Sequence, residues 1–295
     1  MFPCKLLLFG EYTILDEGAA LAIPLKNFAA QWADNAANQD QNRTAKGLEQ
    51  LLDYVYAQKE GNLYDLQRWE MDLEAGLWFN SAIPQGYGLG SSGAVVAAVY
   101  QRYRENPRMG LKELRVELAT LENCWHKNSS GIDPLVSYLH RPIFIQNKTE
   151  ISIKNIDINA IALHFCLLDT RLKRSTAPLV SWFLLQSEQT AFKNACILPL
   201  KTANEGACQA ILTANYAALG DGMKIISTLQ YQHLQHLIPP DFLPLWQEGL
   251  HSGDFYLKIC GAGAGGFLLI WLASPEMKIK LKAKNYQLLE IKGEK

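Results

Sequence analysis

Several features are scarce in this sequence, and each shortage removes a class of protein. Its six cysteines form no CxxC pair, so neither a disulfide framework nor a cysteine-based zinc site is indicated. Most of them lie in apolar runs, such as Cys166 between Phe165 and Leu167, and read as small buried hydrophobes. That points to a reducing compartment and a cytoplasmic protein. Positive charge is not in excess: Lys+Arg is 28, Asp+Glu is 29 and the net charge is -1. A nucleic-acid partner held by phosphate neutralisation is therefore not expected. Long hydrophobic runs are missing, since stretches such as Phe267 to Ala273 fall well short of the ~20 residues a membrane helix needs. The short apolar run after Lys5 leads into Gly10-Glu11-Tyr12 without a small-residue cleavage pattern, so no signal peptide is expected. There is no internal repeat and no low-complexity segment.

What is present is a packed globular composition: 48% hydrophobic residues and 19% charged ones in a chain of 295. That length suits one large domain or two medium ones. Lys5 to Phe9 and Ala19 to Leu25 read as strands around a turn at Asp16-Glu17-Gly18. Asp34 to Arg43, rich in Asn and Gln, reads as an exposed loop. Leu48, Leu51, Leu52, Val55 and Tyr56 repeat at helical spacing. Trp69 to Leu73 and Leu77 to Ile83 alternate like the strands of a hairpin about Glu74-Ala75-Gly76. Helices are predicted from Ala94 and over Leu111 to Trp125. Another starts at Asp133-Pro134, with Asp133 as N-cap and Pro134 at the first helical position. Strands are expected at Pro142 to Ile145 and Glu150 to Ile153. The pattern pauses near Ile156 to Ala160, which sets a boundary between residues 1–157 and 158–295. Beyond it come a strand (Ile161 to Asp169), a helix (Ala177 to Gln186) and long helices (Ala203 to Leu219, Met223 to Leu237). The strands Tyr256 to Cys260 and Phe267 to Ala273 close the pattern.

Gly88-Gly90-Gly93 and Gly261-Gly263-Gly266 both match GxGxxG, a weak signal that context must decide. A dinucleotide-binding unit needs a helix and then a strand ending in an acid roughly 20 residues on. The first loop is followed by two helices, and the second by a strand. Neither is followed by the Lys-Ser/Thr of a nucleotide-binding P-loop. The first still has phosphate-binding physics: glycine backbone amides at a helix N-terminus, with the hydroxyls of Ser91 and Ser92. A tight turn capped by serine is the bland alternative. For the second loop, a glycine-rich hairpin between two strands is the bland reading. It gains a functional one chiefly if it packs against the first.

Three segments, in the same order, resemble the GHMP kinase superfamily. They are Lys5-Leu6-Leu7-Leu8-Phe9-Gly10-Glu11-Tyr12, the run Pro84 to Ala94 containing Gly88-Leu89-Gly90-Ser91-Ser92-Gly93, and Lys258-Ile259-Cys260-Gly261-Ala262-Gly263-Ala264-Gly265-Gly266. Within the superfamily, the segment Glu122 to Asp133 (His126, Asn128, Ser130, Gly131) and the segment Asp169 to Thr176 are most similar to the mevalonate kinase branch. Tyr12 departs toward the phosphomevalonate kinases, because mevalonate kinases usually carry His there. Gly93 replaces a common Ala, Ala264 stands where many members have Gly, and Cys260 where many have Thr or Ser.

The resemblance implies a two-domain α+β fold, with a ribosomal-protein-S5-like N-terminal α/β domain and a ferredoxin-like C-terminal α+β domain. It implies a small-molecule kinase that uses ATP and Mg²⁺, acts on a hydroxyl substrate, and is a monomer or homodimer. Gly88, Leu89, Gly90, Ser91, Ser92 and Gly93, with Gly261 and Gly263, would meet the ATP phosphates. Ser92 and Glu122 would hold Mg²⁺. Asp133 would accept the hydroxyl proton beside Lys5. Glu11, Tyr12 and Thr176 are candidates on the substrate side. Each has a plainer rival. Asp133 and Thr176 could only cap helices, Lys5 could end a strand in solvent, and Glu122 could be a solvated helix charge. His233 and His236, spaced i,i+3 on one predicted helix, could bind metal but read better as helix surface.

Overall fold

The computed structural model describes residues 1–34, 39–58, 62–107, 110–126, 129–147, 150–173 and 176–292, without the side chains of 39–45 and 176. Internal contacts divide the chain into two compact units. One comprises residues 1–5, 24–84 and 90–141; the other comprises 6–23, 85–89 and 142–295. Both are discontinuous, where the sequence pattern suggests a single cut after 157. Strand pairing shows why the second unit reaches back into the N-terminus: Ala20, Leu21 and Ala22 pair with Ile145, Phe144 and Ile143.

Strands β1 (Phe2–Phe9) and β2 (Ala20–Ala33) contribute residues to both units. In the first unit, the end of β2 pairs antiparallel with β3 (Trp78–Ser81), from Ala30 opposite Ser81 to Ala33 opposite Trp78. Five helices accompany them: α1 (Gln39–Tyr56), α2 (Leu66–Glu74), α3 (Ser91–Tyr103), α4 (Leu111–Glu122) and α5 (Ile132–Leu139). Helix α3 packs on α4 and α5. Its run from Gly93 to Tyr100 is buried almost all round, which is why its sequence is apolar without a polar stripe.

Two sequence expectations fail here. Trp69 to Leu73 is helical, not a strand, because Asp65 accepts a hydrogen bond from the Arg68 N–H at 3.0 Å and starts α2. Trp69 is then fully buried, stacked on Tyr103 at 4.9 Å, while Met71 is exposed. In the polar segment from Asp34 to Arg43, residues 39–43 already belong to α1, and residues 35–38 lie outside the described residues.

In the second unit β4 (Ile143–Ile145) pairs with β5 (Ile151–Ile153). Next come α6 (Ile158–His164) and β6 (Phe165–Asp169). The expected strand from Ile161 is therefore half helix, because the Asp157 carboxylate accepts from the Asn159 and Ala160 amides and caps it. The helices α7 (Thr176–Ser187), α8 (Thr190–Phe192), α9 (Leu198–Leu212), α10 (Tyr216–His233) and α11 (Leu243–Ser252) follow, with a π-helical turn, Lys193–Ile197, joining α8 to α9. The helix expected to run from Ala203 to Leu219 breaks at Ala214, whose φ is 54°, and Asn215 caps the next. Helix α10 ends at His233, and His236 lies in a separate 3-10 turn. The two histidines thus do not share one helix face, and among the described residues no cluster of His, Cys, Asp or Glu could hold a metal.

The unit closes with β7 (Phe255–Ile259), β8 (Phe267–Leu272), α12 (Glu276–Ala283) and β9 (Leu288–Glu290). The four strands form an antiparallel sheet in the order β7-β8-β6-β9. Strand, helices, two strands, helix, strand, in that spatial order, is the ferredoxin-like arrangement expected for the C-terminal domain. Among the described residues, no helix is long and apolar enough to cross a membrane.

Candidate functional site

Asp133 is not an N-cap. Helix α5 begins one residue earlier, capped by Gly131 at φ 70°. A Cβ at Gly131 would lie 2.4 Å from the Arg115 carbonyl oxygen, so only glycine fits this turn. Asp133 therefore sits within the first helical turn, where a negative charge is favoured by the helix dipole. Its carboxylate meets the ammonium of Lys5 at 2.7 Å, with side-chain exposures of 28% and 7%. Lys5 is thus a buried charge with a partner rather than a solvated strand end.

The end of the first glycine loop lies directly against Asp133. A Cβ at Gly90 would stand 3.0 Å from Asp133 Oδ2, and one at Gly93 would stand 2.7 Å from the Asp133 carbonyl carbon. The missing side chains let backbone and carboxylate approach this closely. Gly90 caps α3 at φ 70°, and Ser91, Ser92 and Gly93 form its first turn. Gly88 (φ 79°) and the buried Leu89 count with the second unit.

Glu122, at the end of α4, is buried with 5% exposure. Ser92 Oγ donates to its Oε1 at 2.9 Å, and Ser129 Oγ donates to its Oε2. Burial first, and the Asp133 charge second, push its carboxyl up to about 7; the two serine hydrogen bonds and Lys5 pull the other way. Two carboxylates with one lysine form a site short of positive charge. Its donors, a hydroxyl and a carboxylate, are hard oxygens of the kind that hold Mg²⁺, which takes few protein ligands and keeps waters and phosphate oxygens. Reasoning from the sequence missed Ser129 and assigned no role to His126, whose Nε2 lies 3.2 Å from Ser92 Oγ. Their place between Glu122 and Gly131 was the available signal. Asn128 lies outside the described residues.

In the second unit, the loop Gly261–Gly266 packs against the start of the first: a Cβ at Gly266 would lie 2.7 Å from Tyr87 Cα, and the rings of Tyr87 and Phe267 meet at 5.2 Å. Thr170 ties the same loop to the end of β6, with Oγ1 donating to the Gly266 carbonyl at 2.7 Å. Within the loop, the Ala264 N–H donates to the Leu237 carbonyl and the Gly266 N–H to that of Leu172. Those two amides are therefore committed to the protein, while Gly261 and Gly263 hold φ of 60° and 75°.

Glu11 and Tyr12 are buried, at 4% and 5% exposure. Glu11 pairs with the fully buried Lys258 at 2.6 Å, and the Tyr12 phenol donates to the Ala262 carbonyl at 2.6 Å. Lys258 was visible in sequence only as a motif residue, because nothing in a strand-like run marks a lysine as buried. Arg174, Ser175 and the Thr176 side chain lie outside the described residues.

Residues 54–141 match the family model described as GHMP kinases N terminal domain. Among solved structures, the L. major mevalonate kinase in complex with R-mevalonate is similar over 99% of this chain and 96% of its own, with a TM-score of 0.67 and 17% identity. The Lin0012 protein from Listeria innocua is similar over 100% and 97%, at 0.70 and 16%. The Streptococcus pneumoniae phosphomevalonate kinase in complex with phosphomevalonate and AMPPNP is similar over 99% and 98%, at 0.64 and 17%. No curated protein matches the chain by sequence. Of the three glycine-containing motifs, the family model covers the second, Pro84 to Ala94, and the likeness in fold to these solved structures extends over the whole chain.

Proposed function

We propose that this chain is a small-molecule kinase that transfers the terminal phosphoryl group of ATP to a substrate hydroxyl, with Mg²⁺ as the accompanying cation. The observation that carries the reading is the cluster in the first unit. There Asp133 is paired with Lys5 at 2.7 Å beneath two glycines of a helix-capping loop, beside the Ser92–Glu122 pair at 2.9 Å. Phosphoryl transfer needs positioning, charge neutralisation and a place for the hydroxyl proton more than covalent help, and these residues supply each. Asp133 accepts the proton, and Lys5, at 2.7 Å, stabilises negative charge that develops there. The backbone of Gly88 to Gly93 and the N-terminus of α3 favour phosphate oxygens; Gly261 and Gly263, in the second unit, are proposed as phosphate-binding residues in their own right. Ser92 and Glu122 would hold Mg²⁺, which when bound neutralises charge on the phosphates.

For the acceptor, mevalonate comes first. The segments Glu122–Asp133 and Asp169–Thr176 favour it, and a solved mevalonate kinase is among the similar structures. Phosphomevalonate comes second, on Tyr12 and on the similar phosphomevalonate kinase. With Glu11 and Tyr12 both committed to partners in their own unit, Thr176 is the candidate left for direct acceptor contact.

The test is ADP release from Mg·ATP with mevalonate, phosphomevalonate, homoserine and galactose. Mevalonate is expected to turn over. Turnover of phosphomevalonate alone overturns the choice of acceptor, and silence with all four overturns the activity. Asp133→Asn is expected to remove turnover while ATP affinity stays within a factor of two or so; near-normal turnover sinks the assigned base.

A further inference from the structure

Residues 10–12 form an expensive turn. Tyr12 has φ 63° and ψ -44°, a region that bulky side chains avoid and that costs about 1–3 kcal/mol. Gly10, at φ 112°, has Ala20 against it: a Cβ there would lie 2.5 Å from the Ala20 side chain. Glu11 and Lys258 are both withdrawn from water, a cost that their attraction offsets only when geometry and further hydrogen bonds are good. Here Lys258 Nζ reaches Glu11 Oε1 at 2.6 Å and the Ile259 carbonyl at 2.9 Å.

These expensive features act on one short segment. Glu11 grips Lys258, near the end of β7, and Tyr12 grips the carbonyl of Ala262, inside the glycine loop. Consecutive residues of the turn thus bracket Ile259-Cys260-Gly261 at both ends. The Tyr12 ring is backed by Phe183 at 4.4 Å, and Phe183 is itself only 1% exposed. The carbonyl that Tyr12 holds lies between Gly261 and Gly263, two residues at positive φ; the N–H of the same peptide faces the Cys260 carbonyl at 3.5 Å, so the phenol anchors its carbonyl side.

We propose that Tyr12 is a positioning residue and not an acceptor ligand: its phenol, seated by the Glu11–Lys258 pair, fixes the 261–263 peptides in the orientation used for phosphate. The proposal rests on the kinase reading and adds to it a turn that sets the second glycine loop from outside the loop.

Tyr12→Phe keeps the ring on Phe183 and removes only the donor. Two measurements on the full-length protein separate the outcomes. The first is amide hydrogen exchange of peptides spanning residues 255–270 without ligand. The second is titration with Mg·ATP, together with KM and kcat where turnover is found. The expected result is faster exchange confined to that loop, with Kd and KM for ATP raised about 2- to 12-fold, the equivalent of one lost neutral hydrogen bond, and kcat little changed. A merely structural role would lower Tm and the active fraction but leave KM in place, which overturns the proposal. Unchanged loop exchange overturns it as well. Faster exchange with equal ATP affinity in both proteins overturns the phosphate role. Failure of the wild-type protein to bind ATP refutes the kinase reading instead, while the exchange comparison still decides whether the phenol holds the loop.

Discussion

Replacing Gly93 by alanine sets two effects against each other, and their sizes say which wins. Gly93 lies in the first turn of α3, where alanine is the better helix former by about 0.8–1.0 kcal/mol. Many sequences of the family pattern carry alanine at this place. In this chain, however, the added Cβ would stand 2.7 Å from both the Asp133 carbonyl carbon and the Pro134 nitrogen, and 2.8 Å from Asp133 Cβ. Those are mostly backbone atoms of α5 and cannot swing aside. Ordinary carbon contacts need about 3.5–4.0 Å, so the start of α5 must retreat by roughly 0.8 Å or more. Overpacking of this kind costs typically 1–3 kcal/mol, which exceeds the propensity gain through most of its range. The net loss, up to about 2 kcal/mol, lowers Tm by a few degrees, up to roughly 8 °C. The retreat also carries Asp133 away from Lys5, now at 2.7 Å. A displacement near 1 Å at a reacting group can cost about 100-fold in rate, so turnover should fall far more than the folded fraction does. Thermal melts and initial rates on the same preparation decide the matter. A Gly93→Ala protein that melts higher than wild type and turns over normally would refute the close α3–α5 contact and the role given to it.

Other expectations follow from single interactions. A raised acid binds its proton more tightly when folded, so the stability contributed by Glu122, whose carboxyl is pushed up to about 7, is complete below the unfolded value near 4.5 and is lost as pH rises through about 7. In divalent-free buffer, urea denaturation should therefore show Glu122→Gln gaining on wild type between pH 5 and pH 8, by on the order of 3 kcal/mol at most; parallel pH curves would rule this out. Lys258→Met strands the buried Glu11 carboxylate and should cost about 3–5 kcal/mol, most of it recovered by adding Glu11→Leu. A single-variant loss below about 1 kcal/mol in urea titrations would mean the pair is not desolvated.

How far the sequence disclosed this molecule depended on whether the deciding interaction was local. The first glycine loop and the helix after it were legible because glycine, serine and an unbroken apolar run are local signals. The strands flanking Gly261–Gly266 were legible for the same reason. The Trp69 segment was misread because its alternation of large residues fits a strand, whereas burial selects Trp69 and leaves Met71 exposed. The helix boundary at Ala214 rests on a positive φ in a non-glycine residue, which composition does not announce. At the site, residue types pointed to Asp133, Lys5, Ser92 and Glu122, but not to the Ser129 hydroxyl that completes the Glu122 contacts. Nor could sequence say that Tyr12 and Glu11 are spent within the protein, since their partners lie 250 and 247 positions away.

That last separation bears on how the chain is made. Glu11 leaves the ribosome early, yet Lys258, with which it pairs, follows 247 residues later. At about 5–20 residues per second, that interval is roughly 12–50 s. The strands at Ala20 to Ala22 wait in the same way for Ile143 to Ile145. During that time β2 lacks its β4 neighbour and the Glu11 carboxylate lacks Lys258. The second unit therefore cannot be completed from the N-terminal half, although every residue of the first lies there, so a nascent chain stalled before β7 should be a client for holding chaperones, and a shortened protein ending there should not yield a stable second unit.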